Sequence, residues 1–179
     1  MVADQARAQG IGAVSLRYFN VVGSAATELA DRGGTNLFPR IIDALRAGRR
    51  PPVFGIDYPT PDGSGVRDYI HVADLAEAHL AATGLTDEPG HTVLNVGCGR
   101  GYSVLEVLRA FAVETGLDTS PEIHPRRPGD AASVVADPRR AVEALGWTAR
   151  HGLVDMVASA WEAEQALRTA TDGATLASA

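Results

Sequence analysis

DYPTPDGSGVRDYIHVAD, residues 57 to 74, joins a loop rich in Pro and Gly to a strand carrying Arg67, Asp68, Tyr69 and His71. Pro59, Pro61, Gly63 and Gly65 are turn residues, so Asp57 to Gly65 reads as loop. Val66 to His71 alternates as a strand does. From Asp74 to Leu85, Leu75, Ala78, His79 and Ala82 recur at helical period, with Asp74 near the helix start. A plain turn has little use for the packed ionisable and aromatic side chains that follow this one, whereas a loop serving a ligand does.

The flanking sequence alternates strands and helices. Residues 2 to 10 read as a helix and Ala13 to Phe19 as a strand ending near Asn20 and Gly23. Leu37, Ile41, Ile42 and Leu45 mark a helix that Gly48 stops, and Pro51 to Phe54 is a short strand. Val93 to Val96 is another strand. Ser103, with Glu106 three residues on, caps a helix to about Thr115. Glu122 to His124 is a brief strand, and Pro138 to Leu145 and Leu153 to Leu167 are helices. The small, polar stretch Thr169 to Ala179 predicts a disordered tail beyond a single unit at residues 1–168. The fold class is α/β.

With 179 residues and 45% apolar content, the chain is long enough for one real core. Its net charge of −6 argues against a nucleic-acid or acidic-membrane partner, either of which needs a basic surface. No apolar run is long enough to span a membrane and no secretory signal opens the sequence, so a cytoplasmic location is expected. The single cysteine, Cys98, cannot form an internal disulfide and has no metal-ligand cluster around it, so no metal site is expected and it reads as a small buried residue at a strand end.

Four further stretches extend the pattern: Leu16-Arg17-Tyr18-Phe19-Asn20-Val21-Val22-Gly23, Thr35-Asn36-Leu37-Phe38-Pro39, Leu94-Asn95-Val96-Gly97-Cys98-Gly99 and Pro125-Arg126-Arg127-Pro128-Gly129-Asp130. With Asp57 to Asp74 they resemble, in order, the motifs of the UDP-glucose 4-epimerases, NAD-dependent sugar-nucleotide enzymes of the extended short-chain dehydrogenase group. The resemblance implies the carboxy-terminal part of that fold: the last strands of a Rossmann-type sheet and the smaller substrate domain. It further implies NAD as cofactor, a UDP-hexose as substrate, and a family that admits homodimers. The reaction it implies interconverts UDP-glucose and UDP-galactose through a 4-keto intermediate.

Two parts of that family pattern are not in these residues. No G-x-G-x-x-G turn follows a strand, and all 16 basic residues are arginine, so no Tyr-x-x-x-Lys exists. Arginine is no simple substitute, because its pKa stays above about 12 and its planar fork has another geometry. The resemblance therefore places the chain as the carboxy-terminal half, with the NAD-binding half absent and no catalytic residue assigned. Alone it is expected to be inactive, with sheet edges that favour association. The alternatives are a catalytically dead UDP-sugar-binding module, a nonfunctional fragment, and, as another enzyme, a sugar-nucleotide dehydratase or decarboxylase.

Residue by residue, the resemblance assigns Arg67 and Arg127 to the diphosphate, which suits the paired hydrogen bonds of a guanidinium. Asn20 and Asn36 match substrate-contacting amides, although asparagine is also a common turn residue. Leu37, Pro52, Val53 and Phe54 match the uracil side, with backbone groups reading the base edge and Phe54 as an apolar wall. Asp130 matches a ribose-binding carboxylate. Tyr18 and Phe19 match the nicotinamide side, and a core role suits both rings equally. Arg126 reads as solvent-facing or structural, and Tyr69 and His71 as structural rather than as acid or base. Val134 matches a position where a tyrosine restricts relatives to plain hexoses, so a parent enzyme tolerating N-acetylated sugars is expected.

Overall fold

A computed structural model describes residues 1–31 and 33–177, with 170–177 described by backbone alone. In chain order the elements are α1 (Val2–Gln9), β1 (Gly12–Tyr18), β2 (Asn20–Val22), a 3-10 turn (Thr27–Leu29), α2 (Leu37–Arg46), β3 (Pro52–Phe54), β4 (Val66–His71), α3 (Val72–Thr83), β5 (Gly90–Val96), β6 (Gly101–Ser103), α4 (Val104–Thr115), β7 (Glu122–His124), β8 (Ser133–Val134), α5 (Arg139–Leu145) and α6 (Leu153–Ala177). The strands form three small sheets. β1 and β5 run parallel from Gly12 opposite Gly90 to Tyr18 opposite Val96. β4 pairs in parallel with β2 and β8 and antiparallel with β6. β3 and β7 run parallel. Parallel pairs need crossover connections, and the intervening helices supply them.

β4 divides the interior because alternate residues of a strand face opposite ways. Tyr69 packs into a core with Phe38, Ile41, Ile42 and Leu45 of α2, Val107, Leu108 and Phe111 of α4, and Met156 and Val157 of α6. Its neighbour Ile70 enters a second core with Leu75, Ala78, Val96 and Trp147. The apolar stripe read along α2 is thus the face it buries. The capping box on α4 forms: Glu106 N–H donates to Ser103 Oγ at 3.0 Å and Ser103 N–H to Glu106 Oε2 at 2.7 Å.

Several features differ from the sequence reading. α3 starts two residues before Asp74, because His71 caps it by accepting Ala73 N–H at Nδ1, 3.0 Å away. His79, expected on the apolar face of α3, is exposed. β5 begins at Gly90, three residues early, since β1 extends a continuous partner ladder to it. α6 runs to Ala177, beyond the Leu167 expected as its end, while Ser178 and Ala179 lie outside the described residues.

Asp74 and Asp68 are fully buried, and each joins segments distant in sequence. Asp74 accepts the N–H groups of Arg150 and His151 and bonds His151 Nδ1 at 2.8 Å, docking the segment before α6 onto α3. Asp68 accepts Cys98 N–H at Oδ1 and the N–H groups of Gly99 and Ala136 at Oδ2, at 2.9, 2.9 and 3.1 Å. Burial raises its carboxyl above the ordinary 3.8, against the pull of those donors. Gly97 permits the approach, since a Cβ there would stand 2.6 Å from Ala136 Cβ and 2.9 Å from Asp68 Oδ2.

A candidate nucleotide-sugar cleft

The loop from Asp57 to Gly65 is held at both ends. Asp62 receives Ser103 Oγ–H at 2.5 Å and both the N–H and Oγ–H of Ser64, which fixes the loop to the start of α4. Burial acts to raise the Asp62 carboxyl, but the Ser103 and Ser64 hydrogen bonds and the charge of Arg109 outweigh it and hold the carboxyl below its usual value. Gly63 turns at φ 79°, where a Cβ would overlap the Ile56 carbonyl. Arg126 joins the other end: it bonds the Asp57 carboxylate at 2.6 Å and the Asp57 carbonyl, and lies 4.2 Å from the centre of the Tyr58 ring. Its role here is structural, and Pro125 to Asp130 is brought beside the loop.

Between these segments lies a cleft of about 940 Å³, open mouth included. Asn20, Asn36, Leu37, Pro52, Phe54, Arg67, Arg127 and Asp130 all line it, although they come from four of the sequence motifs and the short strand β3. The structure therefore gathers eight of the ten expected substrate-side residues. Val53 is not among them, because the alternation of β3 turns its side chain into the core, where it is 1% exposed; only its backbone can serve a ligand. Val134 is also outside the main cleft. It pairs opposite Arg67 across the β4–β8 ladder and lines a shallower adjoining groove with Arg17, Tyr18, Phe19, Asn20, Arg67 and Asn95. Asn20 and Arg67 border both spaces.

The cleft is rich in hydrogen-bond donors. Arg127 pairs with Asp130 at 2.8 Å, so that cation and that carboxylate offset each other. Arg67 donates to its own strand at the Val66 carbonyl, 2.8 Å away. The side-chain N–H₂ groups of Asn20 and Asn36 go to the Asp68 carbonyl and to the Asp31 carboxylate. Phe54 is a less open wall than expected. Its ring stacks on His124 with centres 5.1 Å apart and 24° between planes, and the guanidiniums of Arg40 and Arg127 lie 5.3 and 5.1 Å from its centre.

Sequence reasoning passed over Arg40 and Tyr58 and read Tyr69 as structural; all three line the cleft. For Tyr69 the signal was present: it stands two residues from Arg67 on one strand and so shares its face. Burial pushes its hydroxyl far above the ordinary value of 10, which removes it as a base near neutral pH. His71, at the end of β4, is not among the residues that line the cleft. With Nδ1 accepting from Ala73, its proton sits at Nε2, 2.9 Å from Ser159 Oγ, and its ring stacks on His151. Burial pushes the Cys98 thiol up to about 12, with Asp68 and Asp74 adding to the shift.

The groove beside Tyr18 lies at the carboxyl end of β1, where open α/β sheets bind ligands. It offers one exposed aromatic face, Tyr18 being 53% exposed. The glycine-rich turn from Gly97 to Gly101 leads into β6 and not directly into a helix N-terminus, so the described residues offer no cradle for a dinucleotide's phosphates. Among the described residues no group of three His, Cys, Asp or Glu could hold a metal, and no helix is long and apolar enough to cross a membrane.

Residues 1–97 match the family described as NAD dependent epimerase/dehydratase. The UDP-glucose 4-epimerase of Neisseria gonorrhoeae is 44% identical over 155 residues, covering 83% of this chain and 46% of the relative. That of Corynebacterium glutamicum is 40% identical over 169 residues, covering 93% and 51%. Among solved structures, the UDP-glucose-4-epimerase of Stenotrophomonas maltophila with bound NAD and formylated UDP-arabinopyranose superposes with a TM-score of 0.87 at 43% identity, covering 94% of this chain and 52% of that one. The Bifidobacterium longum enzyme in complex with NAD+ and UDP gives 0.79 at 43% identity, covering 85% and 47%. The chain spans about half the length of the relatives it matches. Its motifs, its α/β strands and these matches agree, and the chain belongs to the NAD-dependent epimerase/dehydratase family.

Proposed function

We propose that this chain supplies the sugar-nucleotide cleft of a UDP-glucose 4-epimerase that interconverts UDP-glucose and UDP-galactose. The observation that carries the reading is the convergence of Arg67, Arg127, Asp130, Asn20 and Asn36, remote in sequence, on one cleft. The similar proteins bear the name of that enzyme, and one was solved with UDP. A UDP-hexose presents two phosphate charges, a planar base and many hydroxyls. Arginine forks meet phosphates, amides and carboxylates meet hydroxyls, and Phe54 with Pro52 and Leu37 offers apolar surface to a base.

These residues bind and orient. In this reading they hold the UDP anchor while the hexose projects toward the groove lined by Tyr18, Phe19 and Val134. Binding energy gathered at the anchor positions the reacting carbon. Hydride and proton transfer belong to the nicotinamide and to a Tyr-x-x-x-Lys pair, and these residues supply neither. Val134, smaller than a tyrosine, leaves room in that groove for an N-acetyl group.

The test is amide chemical-shift mapping of the 179-residue chain during titration with UDP-glucose. Saturable shifts centred on Asn20, Asn36, Arg67 and Asp130 are expected. Shifts elsewhere, or none, would overturn the reading.

A further inference from the structure

We propose that Arg40 is a third phosphate-binding arginine of the cleft and sets its preference for a nucleoside diphosphate over an uncharged nucleoside. The inference rests on the reading of the cleft as a UDP-sugar site and adds a specificity-determining residue to it.

Arg40 is placed where local physics disfavours it. It stands in the first turn and a half of α2, at the helix's positive end, where an acidic side chain stabilises and a cation opposes the macrodipole. No carboxylate among the described residues lies within 4.0 Å to offset that charge. The side chain instead lies over Phe54, within 5.3 Å of a ring centre that Arg127 also approaches. Asp130 neutralises Arg127, which leaves Arg40 as an unpaired cation of the cleft lining. A cation that opposes the helix dipole with no carboxylate to offset it is the kind of local conflict expected at a functional or strained position.

An independent observation points to the same ligand chemistry. Tyr58 lines the cleft and is 6% exposed, yet its hydroxyl has no hydrogen-bond partner among the described residues. An orphaned buried hydroxyl is costly unless a ligand completes it. The unmet groups are thus a guanidinium and a phenol, both donors in want of a strong acceptor. A diphosphate, with several charged oxygens, satisfies them; a sugar hydroxyl satisfies the phenol and leaves the charge uncompensated.

The experiment is calorimetric titration of the full 179-residue chain with UDP, UMP and uridine at low and at physiological ionic strength. Wild type is compared with Arg40→Met, which keeps the apolar stem over Phe54, and with Arg40→Lys, which keeps the charge. Arg40→Met is expected to weaken UDP binding by about tenfold, the scale of one charged hydrogen bond. UMP should lose less and uridine less than about twofold, and the salt dependence of UDP binding should flatten. Arg40→Lys should retain most of the affinity. Equal losses for UDP and uridine would mean that Arg40 only stacks on the base, and an unchanged affinity for UDP would mean it does nothing; either overturns the proposal. A wild-type chain that ignores UDP overturns the underlying reading instead. Should circular dichroism show Arg40→Met unfolded, Arg40→Gln carries the same expectation.

Discussion

Replacing Asp68 by Asn changes one atom of a buried group and should loosen the whole cleft. Three N–H donors converge on this side chain: Cys98 on Oδ1, and Gly99 and Ala136 on Oδ2. An amide has one acceptor oxygen. With that oxygen in the Oδ2 position it keeps two donors, but its own N–H₂ then faces the Cys98 N–H. One buried donor is orphaned even in this best orientation. A hydrogen bond to a charged acceptor contributes about 1.5–3 kcal/mol, so the loss should be about 2–3 kcal/mol for Asp68→Asn. Asp68→Ala orphans all three and should cost about 4–5 kcal/mol, a large part of a domain's stability. Urea denaturation at neutral pH, compared at constant m-value, measures both. Because Ala136 follows β8, which follows the Arg127–Asp130 segment, the Asn variant should also bind UDP more weakly. A loss below about 1 kcal/mol for Asn, or an Ala variant no less stable than Asn, would refute the account of Asp68 as a latch.

Other expectations follow from single contacts. Burial, with the charge of His151, holds the folded-state pKa of His71 below its ordinary 6.5, against the opposite pull of Asp74 and Asp155. The stability it contributes is therefore present above pH 6.5 and lost as pH falls from there toward the lower folded value. A melting temperature that falls over that window in wild type, and less in His71→Gln, is expected; identical pH profiles would contradict it. Gly97→Ala forces a methyl against Ala136 and Asp68, and thermal melting should show about 1–3 kcal/mol of destabilisation. Val134→Tyr should reduce affinity for UDP-N-acetylglucosamine more than for UDP-glucose in parallel titrations, because the groove beside Arg67 narrows; equal effects would remove Val134 from the sugar's surroundings.

Much of the architecture was legible because local signals coincide with the fold. The stripe on α2, the box at Ser103 and Glu106, and the alternation in Val66 to His71 each state their element without tertiary help. The cleft residues were legible for another reason: most of them fall in short motifs whose order resembles that of a known family. What stayed hidden depends on distant partners. Asp68 reads as one member of a motif, and nothing nearby shows that amides 30 and 68 residues away converge on it. The two-residue β8 has no periodicity to detect, so the position of Val134 opposite Arg67 could not be read. Val53 was displaced by the period of its own strand. The cover over Phe54 comes from two segments distant in sequence, through Arg40 of α2 and through His124 and Arg127 at and just after β7.

The central claim is that this cleft grips the UDP anchor through its arginines. Calorimetric titration of the chain with UDP-glucose, beside the Arg67→Met variant, tests it most directly. The account predicts saturable one-to-one binding by the wild type and a loss of at least about tenfold in the variant with an unchanged melting temperature. No binding by the folded wild-type chain, or equal affinity in the two proteins, would contradict it.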